Sequence, residues 1–210
     1  MVMLRKLLVA VAAAGVMAFS ALAPASAEGR SAPSISFFAG GNGSAHWSHV
    51  NAPTDSDGFS IELDVPGVSP PDFSGATLQH QAGTTAPTVA PSFDFMSTVT
   101  GASGGSPRLV IVFSDGGNIN LRPLAWVANA WTREGSGTTT SDWDNSGGTC
   151  GFLYEQTYDV VTACHAGTTV TAAFVVSDSG WLYPTGYVNF IDNIQYNGVT
   201  LSAPSDNANN

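Results

Sequence analysis

Positive charge is nearly missing from this sequence. Lys6 is the only lysine, and Arg30, Arg108, Arg122 and Arg133 are the only arginines beyond Arg5. All 16 acidic residues lie after position 27, so the chain without residues 1–27 sets four arginines against 16 carboxylates, a formal charge of −12. Such a surface repels phosphate backbones and anionic lipid. Nucleic acid and membrane surfaces are excluded as partners; a cation or a neutral, polar ligand is electrostatically easier.

Cysteine is equally scarce. Cys150 and Cys164 are the whole complement, too few for a zinc cage even with His165 adjoining. In an exported chain such a pair reads as a disulfide, closing a loop of about 15 residues and contributing about 3 kcal/mol in the chain-entropy model. Two buried free thiols are the alternative.

There is one long apolar run. "LLVAVAAAGVMAFSALA" (7–23) follows Arg5 and Lys6 and precedes the small residues "ASA" (25–27). Together they predict a secretory signal peptide over 1–27, against the alternative of an N-terminal anchor. The mature protein is then expected to be secreted and free of the membrane. P-loop, CxxC and HExxH patterns are absent. "GASGG" (101–105) matches G-x-S-x-G around Ser103, but a proline and an apolar strand follow where the nucleophile elbow needs a helix.

Turn and strand formers fill the remainder. Glycine numbers 23, and Thr, Val, Ser and aromatics outweigh the helix formers. Short strands are expected at "SISFF" (34–38), "FSIELDV" (59–65), "ATLQHQ" (76–81), "SFDFMSTV" (92–99), "RLVIVF" (108–113), "INL" (119–121), "LAWVANAW" (124–131), "TTVTAAFVV" (168–176) and "GYVNFIDNIQYNGVTL" (186–201). Alternation puts Phe59, Ile61, Leu63 and Val65 inward on the second of these, and Val170, Ala172, Phe174 and Val176 on one side of "TTVTAAFVV". "NG" (197–198) signals a hairpin. Residues 132–151 read as one long irregular loop. The one helical signal lies near 157–166, with Thr157 as N-cap and Gly167 as stop. The pattern predicts an all-β, antiparallel two-sheet sandwich, jelly-roll-like, with that single short helix. It forms one domain over 28–203, with a flexible tail over 204–210.

"AAFVVSDSGW" followed by "GYVNFIDNIQYNG" resembles the ending of secreted bacterial β-sandwich proteins, notably jelly-roll carbohydrate-binding modules and galactose-binding-like domains. The resemblance covers roughly residues 150–202. It implies the sandwich and, less directly, a sugar ligand.

Several side chains stand out chemically. Asp192 falls in what reads as an apolar row with Val188, Phe190, Ile194 and Tyr196. A buried carboxylate needs donors or a cation. Three arrangements answer: backbone N–H groups at a loop or bulge, an arginine, or a structural Ca²⁺ shared with Asp55 and Asp57, as the resemblance also suggests. Calcium takes six to eight oxygens, and "DSDG" (55–58) supplies a start without the later glutamate of an EF-hand loop.

Trp143, with Asp142, Asp144 and Asn145, and Trp181 and Tyr183, with Asp178, have the residue types of a sugar platform, a flat ring with neighbouring carboxylates and amides for hydroxyls. The alternative is that the rings are core lids. Trp126 and Trp131 read as core. His46 and His49 could meet only on a turn or helix. Glu62 and Asp64, two apart on one strand face, match the spacing of a carboxylate pair but also that of any half-exposed strand.

Three functions remain open on this reading. The sharpest is a secreted, non-catalytic module binding a neutral polar ligand such as carbohydrate. The others are a structural or surface-interaction protein without a small-molecule site, and a polysaccharide hydrolase or lyase using paired carboxylates.

Overall fold

The computed structural model describes residues 35–50, 52–53, 57–67, 72–102, 106–135, 142–179 and 186–201. All belong to one compact unit, Ala32–Asn210. The leader, the tail, Asp55, Ser103, Trp181 and Tyr183 lie outside the described residues.

The strands in chain order are β1 (Ile35–Gly40), β2 (Ser44–Ser48), β3 (Ser60–Val65), β4 (Phe73–Leu78), β5 (Ser92–Ser97), β6 (Gly101–Ala102), β7 (Arg108–Phe113), β8 (Asn118–Leu121), β9 (Ala125–Trp126), β10 (Thr132–Glu134), β11 (Trp143–Ser146), β12 (Leu153–Gln156), β13 (Val170–Asp178), β14 (Tyr187–Tyr196) and β15 (Val199–Leu201). Helix α1 (Tyr158–Ala163) separates β12 from β13.

A seven-stranded sheet has the order β1-β4-β13-β7-β8-β11-β12, and a six-stranded sheet is built on β10-β5-β14-β3-β2 with β15 beside β14. All pairings are antiparallel. The inner faces meet in one core: Ala76, Leu78, Leu109, Ile111, Phe113, Ile119, Leu121 and Val175 from the larger sheet, and Ile61, Leu63, Phe93, Phe95, Ile191 and Ile194 from the smaller. This is the expected jelly-roll-like sandwich. β7 is central, between β13 and β8, and its outward-facing Val110 is buried too, as an unbroken apolar run requires.

Two inward rows differ from the expected alternation, for one reason. A strand's side chains alternate faces, so one extra residue reverses every side chain beyond it. β14 carries such a bulge between Asp192 and Gln195, where Asn193 has φ 45°. Its inward residues are Tyr187, Asn189 and Ile191 before the bulge, then Ile194 and Tyr196 after it. Asp192 therefore interrupts no apolar row. β13 shifts register between Val170 and Ala172, which turns Ala173 and Val175 inward and Phe174 and Val176 outward.

Residues 132–151 are not one loop, since they hold β10, β11 and a 3₁₀ turn at Gly148–Cys150. "LAWVANAW" contributes only the two-residue β9. Trp126 is buried as expected, and Trp131 is half-buried. His46 lies on β2 and His49 just beyond its end, so neither the turn nor the helix that would bring them together is present there. Thr157 caps α1 without a side-chain hydrogen bond, its carbonyl accepting from Val161 N–H instead. Gly167 does adopt the left-handed conformation, at φ 81°. Cys150 and Cys164 are joined as a disulfide.

Candidate functional site

Strand alternation decides which side chains stand on the outer face of the seven-stranded sheet. Register places Ser36, Thr77, Phe174, Val110, Asn120 and Asp144 in line across six neighbouring strands. At the usual strand spacing that line is about 24 Å long. Beside it run Phe38, Gly75, Val176 and Arg108, and on the other side Ala172, Val112, Asn118 and Ser146. Gly75 is required here: a Cβ would sit 2.3 Å from the Phe38 ring. Phe38 meets Phe174 edge-on at 5.8 Å. One half of the face is thus apolar and aromatic, the other polar.

The polar half is tightly paired. Arg108 donates to both oxygens of Asp178, at 2.9 and 2.6 Å. Burial works against the Arg108 charge, but Asp178 outweighs it and holds the guanidinium above its ordinary range. Arg122 donates through Nε to Asp144 Oδ2, and its Nη2 lies 3.5 Å from Glu155 Oε1. The same balance applies there: burial opposes the charge, and Asp144 and Glu155 together raise Arg122. Asn120 Nδ2 donates to Asn118 Oδ1 at 2.8 Å.

The edge of this half is a bulge. Trp143 faces Gln156 and Asn145 faces Leu153, so Tyr154 and Glu155 together oppose Asp144, with Glu155 at φ 55°. Glu155 N–H donates to Asp144 Oδ1 at 2.9 Å. Two rings flank the bulge in the open: Tyr154 is 57% exposed and Phe152 67%. Phe152, Tyr154, Glu155, Asn118, Asn120 and Arg122 carried no signal strong enough to single them out beforehand. The period-two alternation of "NINLR" (118–122) was the one available clue.

The sequence-derived site residues scatter. Trp143 is fully buried, its ring 4.7 Å from that of Tyr158. With Asp144 facing out, its neighbours Trp143 and Asn145 must face in. The expectation of a Trp143 platform is therefore corrected: this ring is core. Asn145, 2% exposed, is likewise corrected from ligand contact to buried scaffold. Its Nδ2 donates to the carbonyls of Gly147 and Gly151, and its Oδ1 accepts from His165 Nε2.

Asp144 and Asp178 do stand on the outer face, each committed to an arginine. Asp142 accepts Arg122 N–H through its carbonyl, and its side chain meets Glu134. Burial first, and the Asp142 carboxylate second, push the Glu134 carboxyl up to about 8.

Asp192 shows the bulge arrangement. Its Oδ2 accepts Ala52 N–H at 2.7 Å and its Oδ1 accepts Asn193 N–H at 2.6 Å. Arg133, nearby, serves Asp94, Ser92 and the Asn193 carbonyl. Asp57, whose Oδ1 accepts Phe59 N–H, lines the same small cavity as Asp192, with Trp47, Phe59 and Ser60. Two carboxylates on one cavity fit a calcium site in kind, and supply part of the six to eight oxygens it takes. No group of three His, Cys, Asp or Glu placed to hold a metal ion occurs among the described residues. His46 and His49 are not brought together: His46 lies 3.6 Å from Glu62, while His49 packs on Phe59. Glu62 and Asp64 share the outer face of the six-stranded sheet. Burial and then Glu62 raise Asp64, against the pull of His46.

No family model and no curated protein matches the sequence. Among solved structures, the chain is similar to the family 11 carbohydrate-binding module of the cellulosomal cellulase Lic26A-Cel5E of Clostridium thermocellum. The identity is 12%, covering 81% of this chain and 91% of that one, with a TM-score of 0.47. It is also similar to a family 11 module from Clostridium thermocellum in complex with a β-1,3-1,4-mixed-linked tetrasaccharide. There the identity is 11%, over 76% of this chain and 86% of that one, with a TM-score of 0.41.

Proposed function

We propose that this is a secreted, non-catalytic module that binds a neutral carbohydrate on the outer face of the seven-stranded sheet. One observation carries the reading: the exposed rings of Phe152 and Tyr154 stand at the edge of a face lined by Asn118, Asn120, Arg122, Asp144 and Glu155. Large exposed rings beside fixed polar groups mark a contact surface. A sugar offers such a surface both halves it needs, C–H faces for the rings and hydroxyls for the amides and carboxylates. Arg108 and Arg122 are occupied by Asp178, Asp144 and Glu155, so among the described residues this face offers no unpaired cation to an anionic glycan. The same pairing ties up these three carboxylates, which favours binding over acid–base chemistry. Trp181 and Tyr183, which follow Asp178 in the chain, belong to the proposal as additional rings. A structural Ca²⁺ beside Asp57, Asp192 and Asp55 is part of it too; its chemistry would be to cross-link the segment around 52–58 to β14. Export rests on the leader over 1–27.

Affinity electrophoresis in gels containing soluble neutral polysaccharides tests the binding. Wild type should be retarded by at least one of them, and Tyr154→Ala and Asn120→Ala should each weaken retention at least about fivefold, as truncation of a central contact does. Variants retained as well as the parent would dismiss this face. Release of reducing sugar or of unsaturated product would replace the reading with the hydrolase or lyase.

A further inference from the structure

Asn145 cannot touch a ligand, yet it stands directly behind the face that would. It lies on β11 between outward-facing Asp144 and outward-facing Ser146, itself turned inward and 2% exposed. Its amide orientation is dictated by its partners. Nδ2 donates to Gly147 O at 2.9 Å and to Gly151 O at 2.6 Å, while Oδ1 accepts from His165 Nε2 at 2.8 Å. His165 is immobilised in turn. Its Nδ1 lies 2.8 Å from Asp115 Oδ2, and its ring stacks on Phe113 with centroids 4.2 Å apart. The opposite edge of the small loop is held as well: Thr149 donates through N–H and Oγ to the Cys164 carbonyl, and the disulfide joins Cys150 to Cys164.

The consequence is geometric. Two N–H groups of one side chain draw together the start and the end of the 147–151 loop, helped by Gly147 N–H donating to Gly151 O at 3.0 Å. The residue after Gly151 is Phe152, and Tyr154 follows two later. Where the chain enters β12 decides where both rings stand relative to Asp144 and Asn120. We infer that Asn145 is a positioning residue for the aromatic edge of the binding face, acting through the Gly151 carbonyl on Phe152 and Tyr154. The inference rests on the carbohydrate reading above.

A double-mutant cycle separates positioning from general structural support. Asn145→Asp keeps the shape but removes both donors and sets an oxygen against two carbonyls. Binding to a retained neutral polysaccharide is measured for wild type, Asn145→Asp, a variant with both rings truncated (Phe152→Ala with Tyr154→Ala) and that variant combined with Asn145→Asp, with circular dichroism confirming the sandwich in each. Asn145→Asp should weaken binding about tenfold in wild type, within the coupling range of neighbouring groups, and less than about twofold once both rings are gone.

Gly151→Ala guards against a misfolded Asn145 variant. Its Cβ meets nothing within 4 Å, but φ 69° is unfavourable for alanine, so the entry to β12 shifts with the core untouched. A similar loss of affinity is expected. Equal losses in both backgrounds, or a Gly151→Ala protein that binds like wild type, overturn the inference while the carbohydrate reading stands. A wild-type protein that binds no polysaccharide takes both down together.

Discussion

Replacing Glu134 by glutamine should change how stability depends on pH, not merely its level. Glu134 sits on edge strand β10, 8% exposed, with Asp142 beside it. Burial, and then the Asp142 charge, raise its carboxyl from the ordinary 4.5 to about 8. Between those values the folded chain keeps a proton that the unfolded chain has released. Stability from this group is therefore complete below about pH 4.5, declines as pH rises toward 8, and is level beyond. The slope in that window is at most about 1.4 kcal/mol per pH unit. By pH 7 the accumulated cost approaches about 3 kcal/mol, a ceiling, because Asp142 is half-buried and water screens the pair. Glutamine keeps the shape and cannot ionise. Urea unfolding followed by tryptophan fluorescence at pH 5, 6, 7 and 8 gives the test. The gain of Glu134→Gln over wild type should grow by a few kcal/mol across the series. The chain's general acidic repulsion is common to both proteins and cancels in the difference. If the two stability profiles run parallel from pH 5 to 8, the buried, proton-holding carboxyl is refuted.

Two further outcomes are expected. Trp143→Ala should cost about 3–5 kcal/mol in guanidinium unfolding, the range for emptying a large aromatic site in a core, while the folded fraction binds as wild type does; lost affinity at unchanged stability would return Trp143 to the ligand. If the calcium proposal holds, adding Ca²⁺ to chelator-stripped protein should raise Tm, by an increment that follows the ion's occupancy and disappears in Asp192→Asn; an unmoved Tm disposes of the ion.

How much was legible beforehand varies by residue. β3 and β7 were plain, because clean alternation and an unbroken apolar run each have one reading as strands. The Asn197–Gly198 turn, with both residues at positive φ, and the disulfide were plain for similar local reasons. β11 was not, since an inward asparagine between outward polar residues erases the apolar signal, and its inward satisfaction comes from His165, 20 positions away. The Trp143 error has the same root: a tryptophan among aspartates and an asparagine looks exposed until the strand's parity is known. The bulge on β14 was legible only as one of three answers for Asp192, and those on β13 and β12 were invisible, because a bulge depends on what the partner strand pairs with.

By itself, the sequence determined the class of fold, the net acidity, and the bond between its two cysteines, because alternation, net charge and a single possible pairing are properties of the chain alone. Only the tertiary structure decided which face is outward beyond each bulge, and that Phe174, Val110, Asn120 and Asp144 form one line. Cross-strand neighbours are set by long-range register between segments far apart in the chain, where an offset of one residue exchanges core for surface.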